Sequence, residues 1–309
     1  MAKYKIDLSE YGDFDDSNSS FERDESGLKE FAKSLARYGK AQSKGKSKLQ
    51  SVSDLDEAQE IMNRAYATKN PKKRIQMAKN AMLISADCAD AYMLLANENS
   101  DSTEKKIQMY SHAMDASRRT LGEDFFEENS GHFWVLEETR TFMKAKQSVL
   151  LCLFAVGRNE EAISHANELL NLNPNDNQGI RYLLLNMLME TRKYKEAEIL
   201  FKNPKYSKDN GIEWLYSKAL LSFVKEGSST KSKKALEEAM ERNSFAPTYL
   251  KGIKPLPMEF GELILMGSED EGAYYAFHYL PAWQNAPGAI EWLSSDTPEK
   301  IIPIKKGKN

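Results

Sequence analysis

Residues 143–176, MKAKQSVLLCLFAVGRNEEAISHANELLNLNPND, constrain the fold more than any other stretch of the chain. Val149, Leu150 and Leu153 line one face of a first helix, and Ala162, Ile163, Leu169 and Leu170 line a face of a second. Gly157 permits the turn between them. Pro174 ends the second helix because it cannot continue the hydrogen-bond ladder. Small Ala162 and Ala166 let the paired helices approach closely. Such a pair cannot bury its apolar stripe alone, so it must stack on neighbours, and stacking creates a concave surface suited to holding another molecule. The pattern predicts binding rather than catalysis.

The theme recurs. Downstream, Ile180, Leu183, Leu184 and Met187 precede Tyr194, Ala197 and Leu200 in a unit that begins at Asn177. A further unit spans roughly residues 211–247, with Tyr216, Ala219, Leu220 and Phe223 before Gly227. In it, Ala235 precedes Pro247 by the same interval that separates Ala162 from Pro174, although SSTKSKK reads as an insertion in its turn. Upstream, Ala91, Tyr92, Leu95 and Ala96 pair with Ile107, Tyr110, Ala113 and Met114, and Ile61, Ala65 and Tyr66 pair with Ile75, Ala78 and Ala81. The unit looks like a tetratricopeptide repeat, whose period is about 34 residues. The predicted fold is all-α: a tetratricopeptide-like helical-hairpin solenoid over residues 55–247, interrupted by an insertion at 121–140.

Residues 1–52 have a different texture. Residues 1–26 carry eight acidic side chains against three basic ones, whereas residues 27–52 carry seven basic side chains against Glu30. Leu28, Phe31, Leu35 and Tyr38 fall at helical spacing, so a short amphipathic helix is predicted inside an otherwise disordered charged arm. After Pro247 a C-terminal helical cap is expected over 248–295. Ser268 and Glu271 there form a capping box, and Pro281 opens a further helix bearing Trp283. Residues 296–309 read as a flexible tail. The start MAKYKIDLSEYGDFDD has no apolar core of a signal peptide, and the apolar run from Val149 to Val156 is far shorter than the roughly 20 residues of a membrane span. A cytoplasmic protein without membrane contact is expected. A net charge of −3 argues against a globally basic nucleic-acid binder.

Several runs point to a family. CADAYMLLA (88–96), GHFWVLEETR (131–140), NPNDNQGIRYLLL (173–185), and APTYLKG followed by GSEDEGAYYAFHYLPAW resemble the suppression-of-tumorigenicity protein family, in particular its soluble bacterial branch. The resemblance covers about residues 57–295. It implies an all-helical repeat fold and a binding or scaffold role, and it implies no reaction. Eukaryotic members of that family carry membrane spans ahead of this region, where this chain has its charged arm.

By repeat register, Asn97, Lys144, Gln147, Gln178, Arg181 and Tyr182 project from first helices into the groove, and Arg140 of the insertion adds to them. Arg, Gln and Asn grip peptide main chain or carboxylate, and Tyr supplies a large contact face at small entropic cost. These residues are the predicted partner-binding groove of a protein- or peptide-binding scaffold. Solvated helix faces without a specific role are the alternative. A chaperone-type carboxylate clamp does not fit, because its positions carry Met93, Asn97, Ser148, Gln178 and Tyr182. The basic segment 29–48 keeps an RNA- or ribosome-binding alternative open. The insertion, with His132, Glu137, Glu138 and Arg140, leaves open a ligand or enzyme site, although structural roles account for the same residues. Cys88 and Cys152 lie in apolar helical stretches as buried small hydrophobes, and the NPNDN run suits helix termination and N-capping. No catalytic residue, metal site or cofactor is predicted.

Overall fold

The computed structural model describes residues 48–261 and 263–296. The secondary structure there is helical throughout, and the chain divides into a unit ending at Gln178 and one beginning at Gly179. The predicted arm helix over Leu28–Tyr38 and the tail beyond residue 296 lie outside the described residues.

The first unit holds three helix pairs: α1 (Lys48–Tyr66) with α2 (Pro71–Ile84), α3 (Ala89–Glu98) with α4 (Thr103–Leu121), and α6 (Arg140–Ala155) with α7 (Asn159–Leu172). Helix α1 starts at Lys48, ahead of the predicted repeat start at Leu55. Each second helix also packs on the first helix of the following pair, α2 on α3 and α4 on α6, as a stack requires. Local chemistry sets the ends. Asn70 caps α2 ahead of Pro71, and Ser102 caps α4 through the Lys105 N–H. Gly157, at φ +79°, turns α6 into α7. Tyr110, Phe142, Met143, Leu150 and Leu153 are fully buried, each contributing about 1.5–3 kcal/mol of transfer free energy. Burial pushes the Cys88 and Cys152 thiols up to about 12 and about 11, which leaves both protonated and inert at neutral pH.

The 121–140 insertion is ordered around aromatic rings. It folds as α5 (Glu123–Glu128) and two short 3₁₀ turns, Phe133–Val135 and Glu137–Thr139. Phe126 lies 4.9 Å from Phe133 and 4.9 Å from Phe142 of α6, with Phe125 at the edge of Phe133. The buried Thr139 hydroxyl reaches the Phe133 and Leu136 carbonyls and closes the turn.

In the second unit, α8 (Ile180–Glu190) pairs with α9 (Tyr194–Lys202), and α10 (Ile212–Glu226) pairs with α11 (Thr230–Arg242). The short α12 (Ala246–Leu250), α13 (Glu269–Asn285) and α14 (Ala289–Asp296) follow. Three local expectations are corrected. SSTKSKK is not a turn insertion: Ser229 caps α11 in a reciprocal box with Ser232, so most of the run is that helix's opening turn. Pro247 opens α12 rather than only ending what precedes it, because proline's missing N–H is harmless in a first turn. Pro281 does not start a helix. Helix α13 runs through it, with Tyr279, Ala282 and Trp283 buried on either side, and that packing outweighs the lost backbone hydrogen bond. The predicted capping box at Ser268 is half present. Its hydroxyl accepts the Glu271 N–H, while the Glu271 carboxylate accepts from the Gly267 N–H at 2.7 Å.

Helix α13 lies against both first helices of its unit, α8 and α10. Tyr275 packs at 5.1 Å from Tyr216, the Tyr279 hydroxyl donates to the Tyr182 carbonyl at 2.8 Å, and Asn285 Nδ2 donates to the Glu190 carbonyl at 2.9 Å. Trp292 of α14 stacks on Phe223 at 4.6 Å. The face that stacked pairs would offer as a groove is therefore occupied, in this unit, by the chain's own helix. A latch holds the start of α13. Arg242 forms a two-pronged ion pair with Glu271 at 2.9 and 2.7 Å, and the Asn243 amide bonds Ser268 and Glu271. Gly272 sits so close that a Cβ there would lie 2.8 Å from the Ala246 nitrogen.

Candidate functional site: polar residues of the first helices

The predicted groove residues fall into two groups. Five are engaged within the chain. Asn97 accepts the Tyr110 hydroxyl at 2.6 Å, which ties α3 to α4. Gln178 Nε2 donates to Gln147 Oε1 at 2.7 Å and also reaches the Met143 carbonyl, so this pair fastens the loop after α7 to α6. Gln147 is itself buried. Arg181 and Tyr182 belong to a compact network with Asp209. Arg181 Nε meets Asp209 Oδ2 at 2.7 Å, its Nη2 donates to the Tyr182 hydroxyl at 2.7 Å, and that hydroxyl donates to Asp209 Oδ2 at 2.8 Å. The guanidinium also lies 4.1 Å over the Tyr182 ring.

Asp209 was not among the predicted residues. Its signal was Asp209-Asn210-Gly211 just before a helix, a turn signature in which the carboxylate accepts an N–H two residues on. Asp209 Oδ1 does accept the Gly211 N–H, at 2.8 Å, at the positive end of α10. Burial alone would raise its pKa. The bonds from Gly211, Tyr182 and Arg181 more than offset that and hold it below the ordinary carboxylate value. Glu213, one turn further on and half-buried, shows the reverse. Burial first, then the fields of Glu271 and Asp209, push its carboxyl up to about 6. This cluster therefore keeps one carboxylate ionised while destabilising the charge on the next, and it serves the fold of its own unit.

Arg140 and Lys144 differ. Both stand exposed on the first turns of α6 at i, i+4 spacing, and among the described residues neither side chain is engaged. Beside Arg140 in sequence, Val135 is 70% exposed, Trp134 is half-buried and His132 is exposed. The aromatic cluster beneath fixes this surface. Among the described residues no group of His, Cys, Asp and Glu is placed to hold a metal ion. Asn173 and Asp176 of the NPNDN run are buried in the turn that ends α7, with Asp176 at φ +51°. Helix α8 starts from left-handed Gly179, so the run terminates a helix but does not cap the next one. Two further groups, buried Lys146 and half-buried His165, have structural partners or settings. Lys146 pairs with Glu168 at 2.6 Å, with burial as the main cause of its lowered pKa, and burial pushes His165 down to about 4. No helix among the described residues is long and apolar enough to cross a membrane.

Comparison with known proteins gives the relationship. The family model described as ST7 protein matches residues 41–308. Similar proteins include "Suppressor of tumorigenicity 7 protein-like" of Danio rerio, 27% identical over 80% of this chain and 46% of that protein. "Protein ST7 homolog" of Drosophila pseudoobscura pseudoobscura is 28% identical over 77% of this chain and 48% of its own length. The chain thus spans less than half of these relatives, and neither name states a reaction. The match across most of its length places the chain in the ST7 protein family.

Proposed function

We propose that the protein is a non-catalytic scaffold of tetratricopeptide type that binds a partner protein through the insertion surface and the first turns of α6. One observation carries this reading: of the polar residues predicted for binding, Arg140 and Lys144 alone stand exposed and unengaged among the described residues, and Val135 of the preceding 3₁₀ turn is exposed as well. Arginine and an amphipathic indole on a rigid support are the chemistry of interface hot spots. A partner segment bearing carboxylates beside an apolar side chain fits that surface, with Arg140 able to grip a carboxylate through two donors. The earlier candidates Asn97, Gln147, Gln178, Arg181 and Tyr182 act as internal ties in this reading.

Affinity capture from the native cell tests it. The wild-type chain should recover a discrete partner, and R140E/K144E should recover at least about tenfold less, the equivalent of about 1.4 kcal/mol. Equal recovery by R140E/K144E would remove the assignment.

A further inference from the structure

The loop between α12 and α13 displays large apolar side chains to solvent: Ile253 at 66% exposure, Met258 at 100%, Leu263 at 75%, Leu265 at 64% and Met266 at 76%. Contacts with α13 flank the run. Phe260 is wedged at 5.3 Å from Tyr274 and 5.5 Å from Phe277, Lys254 pairs with Glu269, and Gly267 is bonded to Glu271. Residues 263–265 have no helical or turn structure, with Leu263 and Leu265 exposed and Ile264 half-buried between them. Among the described residues no backbone hydrogen bond reaches the N–H groups of Leu263, Ile264, Leu265 or Met266, and the Leu265 carbonyl accepts only from Ser268. An exposed apolar run with unpaired backbone groups is a template for pairing with another extended segment.

We propose that this loop is a self-association surface, at which residues 263–265 of two copies pair antiparallel about a two-fold axis through Ile264. Three features select a second copy. An isologous contact presents the same patch twice, so it must be complementary to itself. LILM is, since every member is apolar and uncharged and therefore meets its copy without repulsion. An anionic lipid surface would call for unpaired basic side chains around the patch, but Lys254 is neutralised by Glu269 and Glu259 lies in the same loop. The scale is modest. Five aliphatic side chains with a short ladder make a contact at the lower end of stable interfaces, about 600 Å² per copy. The expected dimer is weak and concentration-dependent.

Sedimentation equilibrium of the full chain from about 1 to about 200 µM covers the range in which such a contact forms. The weight-average mass should climb from the monomer's 35.1 kDa toward twice that value. L263D/L265D, with an unchanged circular-dichroism spectrum, should stay monomeric at every concentration. I199D, altered at an exposed side chain of α9, should associate like wild type. A wild-type chain that stays monomeric overturns the proposal, as does a double variant that still dimerises. Two other results overturn it by naming another occupant. One is dimerisation only after residues 297–309 are removed. The other is a monomer that floats with neutral phosphatidylcholine vesicles and loses flotation in L263D/L265D.

Discussion

Single residues show where neighbours overrule local preference. Arg192 sits at φ +60° in the turn from α8 to α9, where the preceding pair has Gly157. The Lys193 N–H bonds the Leu188 carbonyl just as the Arg158 N–H bonds that of Leu153, so the two turns are the same helix-end motif. Arg192→Gly should therefore stabilise the protein by about 1 kcal/mol in urea titration, because glycine adopts this conformation without a side-chain clash. Gly272 behaves in the opposite way. Alanine normally favours a helix interior, but here its Cβ would meet Asn243 Oδ1 at 2.8 Å and Phe245 Cβ at 2.9 Å. Gly272→Ala should cost about 1–3 kcal/mol by the same titration. Glu213 gives a pH test. Its carboxyl is raised from 4.5 to about 6, so the folded state holds the proton more tightly than the unfolded chain. That contribution is complete below about 4.5 and is lost as pH rises toward about 6, a change of up to about 2 kcal/mol. Glu213→Gln should flatten the decline between those pH values. Asp209, whose pKa is lowered, acts with the other sign, losing its contribution as pH falls.

At the scale of elements, the helix pairs were legible because their signals are local. Apolar spacing within a helix, Gly157 and Gly227 at turns, and Pro174 after α7 lie within a few residues of what they control. The support of the insertion was half legible, since Phe125, Phe126 and Phe133 are visible in the sequence but their convergence on Phe142 is not. The seat of α13 was not legible. Tyr279 bonds a carbonyl 97 residues earlier, and no periodicity states which face a later helix will cover. The continuity of α13 through Pro281 was hidden for the same reason, because the compensating burial of Trp283 comes from α10 and α14. Loss of the α13 contacts should show in order. Tyr279→Phe removes one hydrogen bond, about 0.5–1.5 kcal/mol, while Trp283→Ala empties a fully buried site, about 3–5 kcal/mol. Equal losses would mean that α13 is held otherwise than by its packed ring.

For the molecule as a whole, the sequence pattern named residues for a binding groove but could not say which of them the fold itself would use. Asn97, Gln147, Gln178, Arg181 and Tyr182 have partners inside the chain, whereas Arg140 and Lys144 point outward. The chain belongs to the ST7 protein family and spans less than half of its matched relatives. Photocrosslinking in the native cell, with a photoreactive residue at position 144 or at position 279, is the decisive test of the proposed partner surface. Position 144 should capture another protein, and position 279 should link only within its own chain. Capture of a partner at position 279, with none at position 144, would contradict that proposal.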